Sequence, residues 1–228
     1  MSRYFILMGD IKNSRKFDSN ELSKIMIDII SNSQKKFENS TLSKLEVKVG
    51  DDFQVVMKDI KTLLQMLFYL DISFLSKNIE CRFALGYGTI SGEINKNDHS
   101  RMLGSGLTNI NETLDKKEKK YSFYIEDEIY KTILLNSIGT LLEDCLSNLT
   151  DKQKDFLYYK VVQNKNLKEI EELMHIKQRA VYYFAERSKY ILVTNIFEHI
   201  ELSFENDTKK LEKTYFKDLN LERGNSIE

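Results

Sequence analysis

A chain of 228 residues with 41% hydrophobic and 30% charged side chains and a formal net charge of −1 can build a proper core, and is neither a disordered nor a fibrous polymer. No apolar run is long enough to span a bilayer, and Met1-Ser2-Arg3 leads straight into a strand-like run instead of a signal peptide, so a cytoplasmic protein with no membrane partner is expected. The two cysteines, Cys81 and Cys145, stand far apart in apolar-patterned segments, as buried free thiols do and as a disulfide or zinc pair does not.

In chain order, Tyr4-Phe5-Ile6-Leu7-Met8 predicts a buried strand over about 3–9 that ends in Gly9-Asp10. A polar loop follows, and Asp18 with Glu21 three residues later opens a helix over 19–37, with Leu22, Ile25, Met26, Ile29 and Ile30 on one face. Leu45-Glu46-Val47-Lys48-Val49 and Phe53-Gln54-Val55-Val56-Met57 flank Gly50-Asp51-Asp52 as the arms of a hairpin, whose turn needs residues tolerant of positive φ. A helix over 59–76, a strand over 80–90, a loop over 92–102, a helix over 104–118 and a strand from Tyr121 to Ile125 complete the first half. The order is β-α-β-β-α-β with an extra α-β, an α+β, ferredoxin-like arrangement in which the first strand lies beside the hairpin. Residues 126–149 read as a helical connector broken at Gly139, residues 150–205 as an all-α domain, and residues 206–228 as a charged tail.

The chemistry lies where two strands end. Asp10 and Asp51 fall at one end of the sheet if the strands are neighbours, and two converging carboxylates suit Mg²⁺, which takes one or two carboxylates together with phosphate oxygens and water. Beside them Ile11, Lys12, Asn13, Ser14, Arg15 and Gly50 could contact phosphate through backbone N–H groups, with charge-assisted help from Lys12 and Arg15. The plainer reading of the same residues is a turn and a solvated polar loop. Side chains alternate along a strand, so Asp52 is expected to point away if Asp51 faces Asp10. Segments 1–125 and 150–192 are mildly basic, and 126–149 and 193–228 are acidic, which is compatible with phosphate contacts without being a strong electrostatic footprint.

Asp10-Ile11, Gly50-Asp51 and the strand Arg82 to Gly92 resemble the palm domain of class III nucleotidyl cyclases and diguanylate cyclases. More closely, the opening Arg3 to Ile11 with Asn13-Ser14-Arg15, the hairpin Gly50-Asp51-Asp52-Phe53-Gln54 and a C-terminal helix-turn-helix together resemble the SatD family over most of residues 1–192. The resemblance implies a cyclase-type palm over 1–125 whose first loop wraps a triphosphate and whose aspartates hold metal. It also implies departures. Thr108 and Glu112 stand where active cyclases carry an asparagine and an arginine, and Lys48 lies two residues before Gly50 where the purine-reading lysine lies three before. The palm is therefore expected to bind a nucleotide more readily than to cyclise one.

Leu167 to Val181 resembles a helix-turn-helix of the sigma-factor or LuxR-like sort, with apolar Ile170, Met174, Ile176 and Val181, His175 at the turn, and a second helix beginning near Gln178. Gln178, Arg179, Tyr182 and Tyr183 are then the expected base readers, with Lys177, Arg187 and Lys189 near phosphates. The second helix is expected to run on through Ile191, Leu192, Ile196, Phe197, Ile200 and Phe204, a stripe to be covered by the palm or by a second subunit, and a homodimer is expected. The sequence thus points to a nucleotide- and metal-responsive DNA-binding regulator. A nucleotidyl cyclase or nucleotidyltransferase-like enzyme, acting on NTPs through Asp10 and Asp51 with Mg²⁺, is the alternative, and a helical hairpin used only for packing is a third.

Overall fold

A computed structural model describes residues 2–47, 50–94 and 102–205. The expected tail over 206–228 and the hairpin residues Lys48 and Val49 lie outside the described residues. A mixed five-stranded sheet has the order β2-β3-β1-β4-β5, built from β1 (Ser2–Ile11), β2 (Glu46–Val47), β3 (Phe53–Met57), β4 (Cys81–Ile90) and β5 (Tyr121–Ile125). The central β1 is antiparallel to both β3 and β4, and β4 is parallel to β5. Strand alternation then divides the core. Leu7, Val55, Leu85 and Phe123 face α1 (Ser19–Phe37) and α2 (Ile60–Leu75), whereas Ile6, Met8, Val56 and Ala84 face α3 (Ser105–Asp115) through Leu107, Ile110 and Leu114.

Local sequence explains the helix starts. The Asp18 carboxylate takes the N–H groups of Asn20 and Glu21 at 3.0 and 2.9 Å, and Asp59 takes that of Thr62 at 2.8 Å. The helix α4 (Ile129–Leu146) runs unbroken through Gly139, which corrects the expected break. Gly139 is there for a close approach: a Cβ at this position would stand 2.6 Å from the Tyr121 carbonyl oxygen. Rather than bridging open space, α4 closes the outer edge of β5. The Asn136 side chain donates to the Phe123 carbonyl at 2.8 Å and accepts its N–H at 3.2 Å, and Thr132 Oγ1 accepts the Ile125 N–H at 2.9 Å.

Beyond α4 come α5 (Asp151–Leu157), a π-helical turn over Tyr158–Val162, α6 (Leu167–Met174), α7 (Gln178–Arg187) and α8 (Tyr190–Leu202). The expected long second helix is two helices, because Ser188 is buried and Lys189 adopts a left-handed conformation (φ 60°) that turns the chain. The turn lays part of the α8 stripe on α2, with Phe68 against Tyr190 and Phe197 at ring distances of 6.4 and 5.6 Å, while Ile191 and Leu192 stay exposed. Phe204 then returns to the sheet against Phe5 and Tyr87. Phe156, Leu157, Ile170, Val181, Val193 and Ile200 belong to the same contiguous core as Leu7 and Phe53. Among the described residues no helix is long and apolar enough to cross a membrane.

Candidate functional site

The site is assembled across three neighbouring strands at one end of the sheet. Asp10 is still within β1, with Arg82 of β4 as its register partner. The Asp10 carboxylate is only 4% exposed and is gripped bidentately by Arg82, Nε to Oδ1 at 2.9 Å and Nη2 to Oδ2 at 2.6 Å. Sequence reasoning missed this partner, because Arg82 becomes the neighbour of Asp10 only through the strand register. On the other side, Gly9 pairs with Phe53, so Asp52 stands one step further along, opposite Asp10.

Alternation along β1 and β3 bears on which aspartate shares the face of Asp10. Ile6 and Met8 on β1 and Val56 on β3 all face α3, and continuing each strand by twos leads to Asp10 and to Asp52. Extended one residue before β3, the same count puts the exposed Asp52 on the face of Asp10, whereas it was expected to point away if Asp51 faced Asp10; Asp51 belongs to the turn after Gly50, whose φ is +65°. The electrostatics agree. Burial, then the charges of Asp51, Asp10 and Asp115, hold the Asp52 carboxyl above its ordinary pKa, with Lys117 opposing them. Neither Asp51 nor Asp52 has a hydrogen-bond or ion-pair partner among the described residues.

The charges of Asp51 and Asp52 repel, and a hard cation would relieve that repulsion. Among the described residues no three His, Cys, Asp or Glu side chains are grouped to hold a metal by themselves. This donor set therefore suits an ion that brings phosphate and water as its remaining ligands, as Mg²⁺ does, and not one that needs an all-protein cage. Arg82 neutralises Asp10, but a carboxylate accepting two hydrogen bonds still has lone pairs to offer.

The expected phosphate loop divides in two. Ile11 is a core residue, 1% exposed and paired with Cys81, so its side chain is unavailable. Lys12 gives its N–H to the Glu80 carbonyl at 2.8 Å and its ammonium to the Glu80 carboxylate at 3.2 Å. Asn13 is left-handed (φ 58°) and starts a single 3-10 turn over Ser14–Lys16, whose closing N–H groups, from Lys16 and Phe17, bond back to Asn13 and Ser14. The first N–H groups of such a turn, here of Ser14 and Arg15, have no partner within it. Further along the α3 face a cleft of about 470 Å³ is lined by Met8, Gln54, Leu107, Thr108, Asn111 and Glu112 among others. Thr108 and Glu112 thus flank the space beside the sheet, and the position expected to carry a cation in an active cyclase carries an acid.

The second candidate surface is on the C-terminal helices. Asn166 and Glu169 cap α6 reciprocally, at 3.0 and 2.8 Å, and His175, left-handed at φ 52°, ends it. The helix α7 begins at Gln178. Ile170, Val181 and Ala185 are buried, whereas Lys177, Gln178, Arg179, Tyr182, Tyr183, Arg187 and Lys189 are all exposed, the two tyrosines by 55% and 52%. The Arg187 guanidinium stacks over Tyr183 at 5.4 Å.

A model of the SatD family matches residues 4–181. The curated proteins contain no match. Among solved structures the chain is similar to the guanylyl cyclase Cya2, at 11% identity and a TM-score of 0.37 over 50% of this chain and 70% of that one. It is similar as well to the adenylyl cyclase CyaB from P. aeruginosa, at 16% identity and a TM-score of 0.40 over 58% and 80% of the two chains. A bacterial light-regulated adenylyl cyclase matches at 14% identity and a TM-score of 0.40, over 53% of this chain and 42% of its own.

Proposed function

The chain belongs to the SatD family, and from that premise we propose that it is a DNA-binding regulator whose sheet unit binds a nucleotide with Mg²⁺. The observation that carries the DNA part is the exposure of Lys177, Gln178, Arg179, Tyr182, Tyr183, Arg187 and Lys189 while the opposite side of α7, at Val181 and Ala185, is buried. Packing of α7 against the rest of this chain would instead cover these side chains. A helix that presents its N-terminal residues outward after a three-residue turn has the form that enters a major groove. In this reading Gln178, Arg179, Tyr182 and Tyr183 face base edges, and Lys177, Arg187 and Lys189 face phosphates.

On the sheet, one or two of the carboxylates of Asp10, Asp51 and Asp52 would hold the ion, and Ser14, Arg15 and Gly50 would meet phosphate. The ion supplies charge neutralisation for the phosphates; the protein supplies their position. Glu112 beside the cleft favours binding over turnover, since a carboxylate there repels the charge that develops on a reacting phosphate.

Selection of bound sequences from a random DNA pool, followed by titration at several salt concentrations, tests the regulator reading. Arg179→Ala should weaken the preferred sequence by roughly 1–3 kcal/mol and relax its preference. Lys189→Ala should weaken all sequences and flatten the salt dependence. With four cations on this surface, the slope of log affinity against log salt should be no steeper than about −4 per chain. Failure to enrich any sequence, with affinity too weak to measure at moderate salt, would end this reading for the isolated chain.

A further inference from the structure

The helix α4 carries an apolar face that nothing in the described structure covers. Its inner side, Leu135, Leu142 and Leu146, is buried in the core. On its outer side Ile129, Tyr130, Ile133, Leu134 and Leu141 are 63%, 87%, 58%, 62% and 60% exposed. Steps of three and four residues place Tyr130, Ile133, Leu134, Ser137 and Leu141 along one stripe. With side chains of this size exposing about 100–200 Å² each, the five large ones display roughly 700 Å². That exceeds the about 300–600 Å² of the largest apolar patch on a typical monomer, and approaches the ~800 Å² that each partner contributes to a standard specific interface.

We propose that this face docks a second copy of the chain, α4 against α4 and antiparallel, about a twofold axis passing between Ile133 and Leu134. A twofold interface must match a patch to itself, and this one does. About that axis Ile133 meets Leu134 of the copy, and Tyr130, the largest side chain of the stripe, falls opposite Ser137, the smallest. The copy's Ile133, Leu134, Ser137 and Leu141 then frame the hole that Tyr130 fills, as a knob fits four residues of a facing helix. Charge raises no objection to self-pairing: no charged residue lies between Lys131 and Glu143, so the core of the contact is free of like-charge opposition. The antiparallel arrangement also sets each helix dipole against the opposite end of its partner. The stripe of α8, by contrast, is partly occupied by α2 and leaves only Ile191 and Leu192 exposed, at 57% and 46%, a smaller patch than that of α4.

Sedimentation equilibrium of the full chain without nucleic acid tests this independently of any DNA binding. The wild type should dimerise, and Leu134→Lys and Tyr130→Ala should each weaken self-association about tenfold or more, with unchanged circular dichroism because both side chains are solvent-exposed in the monomer. Oxidation of Leu134→Cys, which lies beside the axis, should give a covalent dimer, whereas Leu141→Cys, two turns from it, should not. A wild type that stays monomeric at all concentrations, or a dimer indifferent to both Leu134→Lys and Tyr130→Ala, overturns the proposal. So does a full chain that is monomeric and self-associates only after truncation at Glu205, since residues 206–228 would then be the occupant of the face.

Discussion

The pair Asp10 and Arg82 offers the sharpest test of how the site is held together. Arg82→Met keeps most of the apolar stem and deletes the guanidinium, so the packing contribution changes little and the charge effect stands alone. What remains is a carboxylate 4% exposed, stripped of hydrogen bonds at 2.9 and 2.6 Å, next to Asp52. Charge-assisted bonds contribute about 1.5–3 kcal/mol each, and breaking a buried pair by removing one partner costs about 3–5 kcal/mol, because the other charge is left uncompensated. Urea unfolding at neutral pH should therefore register a loss near 3 kcal/mol, the lower end, since Arg82 keeps 13% side-chain exposure and the cluster opens to water. Adding Asp10→Asn to Arg82→Met should restore most of the loss, because a neutral amide has no charge to strand. Mg²⁺ should stabilise Arg82→Met more than it does the double variant, by taking the place of the missing cation. A loss below about 1 kcal/mol, or a double variant no better than Arg82→Met alone, would refute the argument that Arg82 neutralises a buried charge.

Three further outcomes follow from the same structure. Mg²⁺ with a nucleotide, drawn from a broad panel, should raise the melting temperature by binding the native state selectively, and Asp51→Asn with Asp52→Asn should abolish the shift measured against that variant's own baseline; a panel without any effect on the wild type sinks the metal-nucleotide site. Because burial and the charges of Asp51, Asp10 and Asp115 raise the Asp52 carboxyl, the native state keeps that proton to higher pH than the unfolded chain does. The unfavourable contribution of Asp52 is thus absent below its unfolded pKa and complete above its folded one, so the stability gained by Asp52→Asn should grow as pH rises from below the ordinary aspartate range toward neutral, and a constant gain would contradict it. Gly139→Ala should destabilise by about 1–3 kcal/mol in urea unfolding, although alanine is the better helix former by ~1 kcal/mol, because its Cβ would meet the Tyr121 carbonyl oxygen at 2.6 Å; a gain in stability would mean that α4 can shift away from β5.

The sequence was legible where local chemistry decides the structure. The Asp18 cap, the strand Tyr121 to Ile125, the left-handed His175 and the start of α7 at Gln178 each depend on a few adjacent residues, and each stands where local reasoning puts it. Long-range register was not legible. That Arg82 pairs with Asp10, and that Asp52 shares its face, follows from pairing β1 with β4 and β3, which no stretch of ten residues encodes. Counting by twos from Val56 in the β3 arm would have favoured Asp52, whereas starting at the turn favoured Asp51. Gly139 looked like a break because glycine is a poor helix former, but its cause is a neighbouring strand. The turn at Lys189 carries neither glycine nor proline, so nothing local announced it.

The composition of α2 explains why the C-terminal helices cannot be treated as an appendage to the sheet. Leu63, Leu64, Leu67, Phe68 and Ile72 form an ordinary amphipathic stripe, but Met66, Tyr69, Leu70 and Phe74 extend the apolar surface round the helix, and all nine are buried. A helix apolar on every side must be covered on every side. The sheet covers one side; the π-helical turn and α8 cover the other, with Tyr190 and Phe197 on Phe68, and Lys36 of α1 over the Tyr69 ring while donating to the Val161 and Val162 carbonyls. Asp71, on the same helix, is itself buried and holds Lys120 at 2.9 Å and the Tyr121 hydroxyl at the start of β5. One rigid helix therefore touches the strand beside Arg82 and the elements that orient α7. The sheet and the C-terminal helices thus meet twice, through α2 beneath Tyr190 and Phe197 and through Phe204 on Phe5 and Tyr87. Phe68→Ala should cost about 3–5 kcal/mol in urea unfolding, because a buried ring that packs on both Tyr190 and Phe197 is lost; an unchanged stability would mean that α8 does not rest on α2.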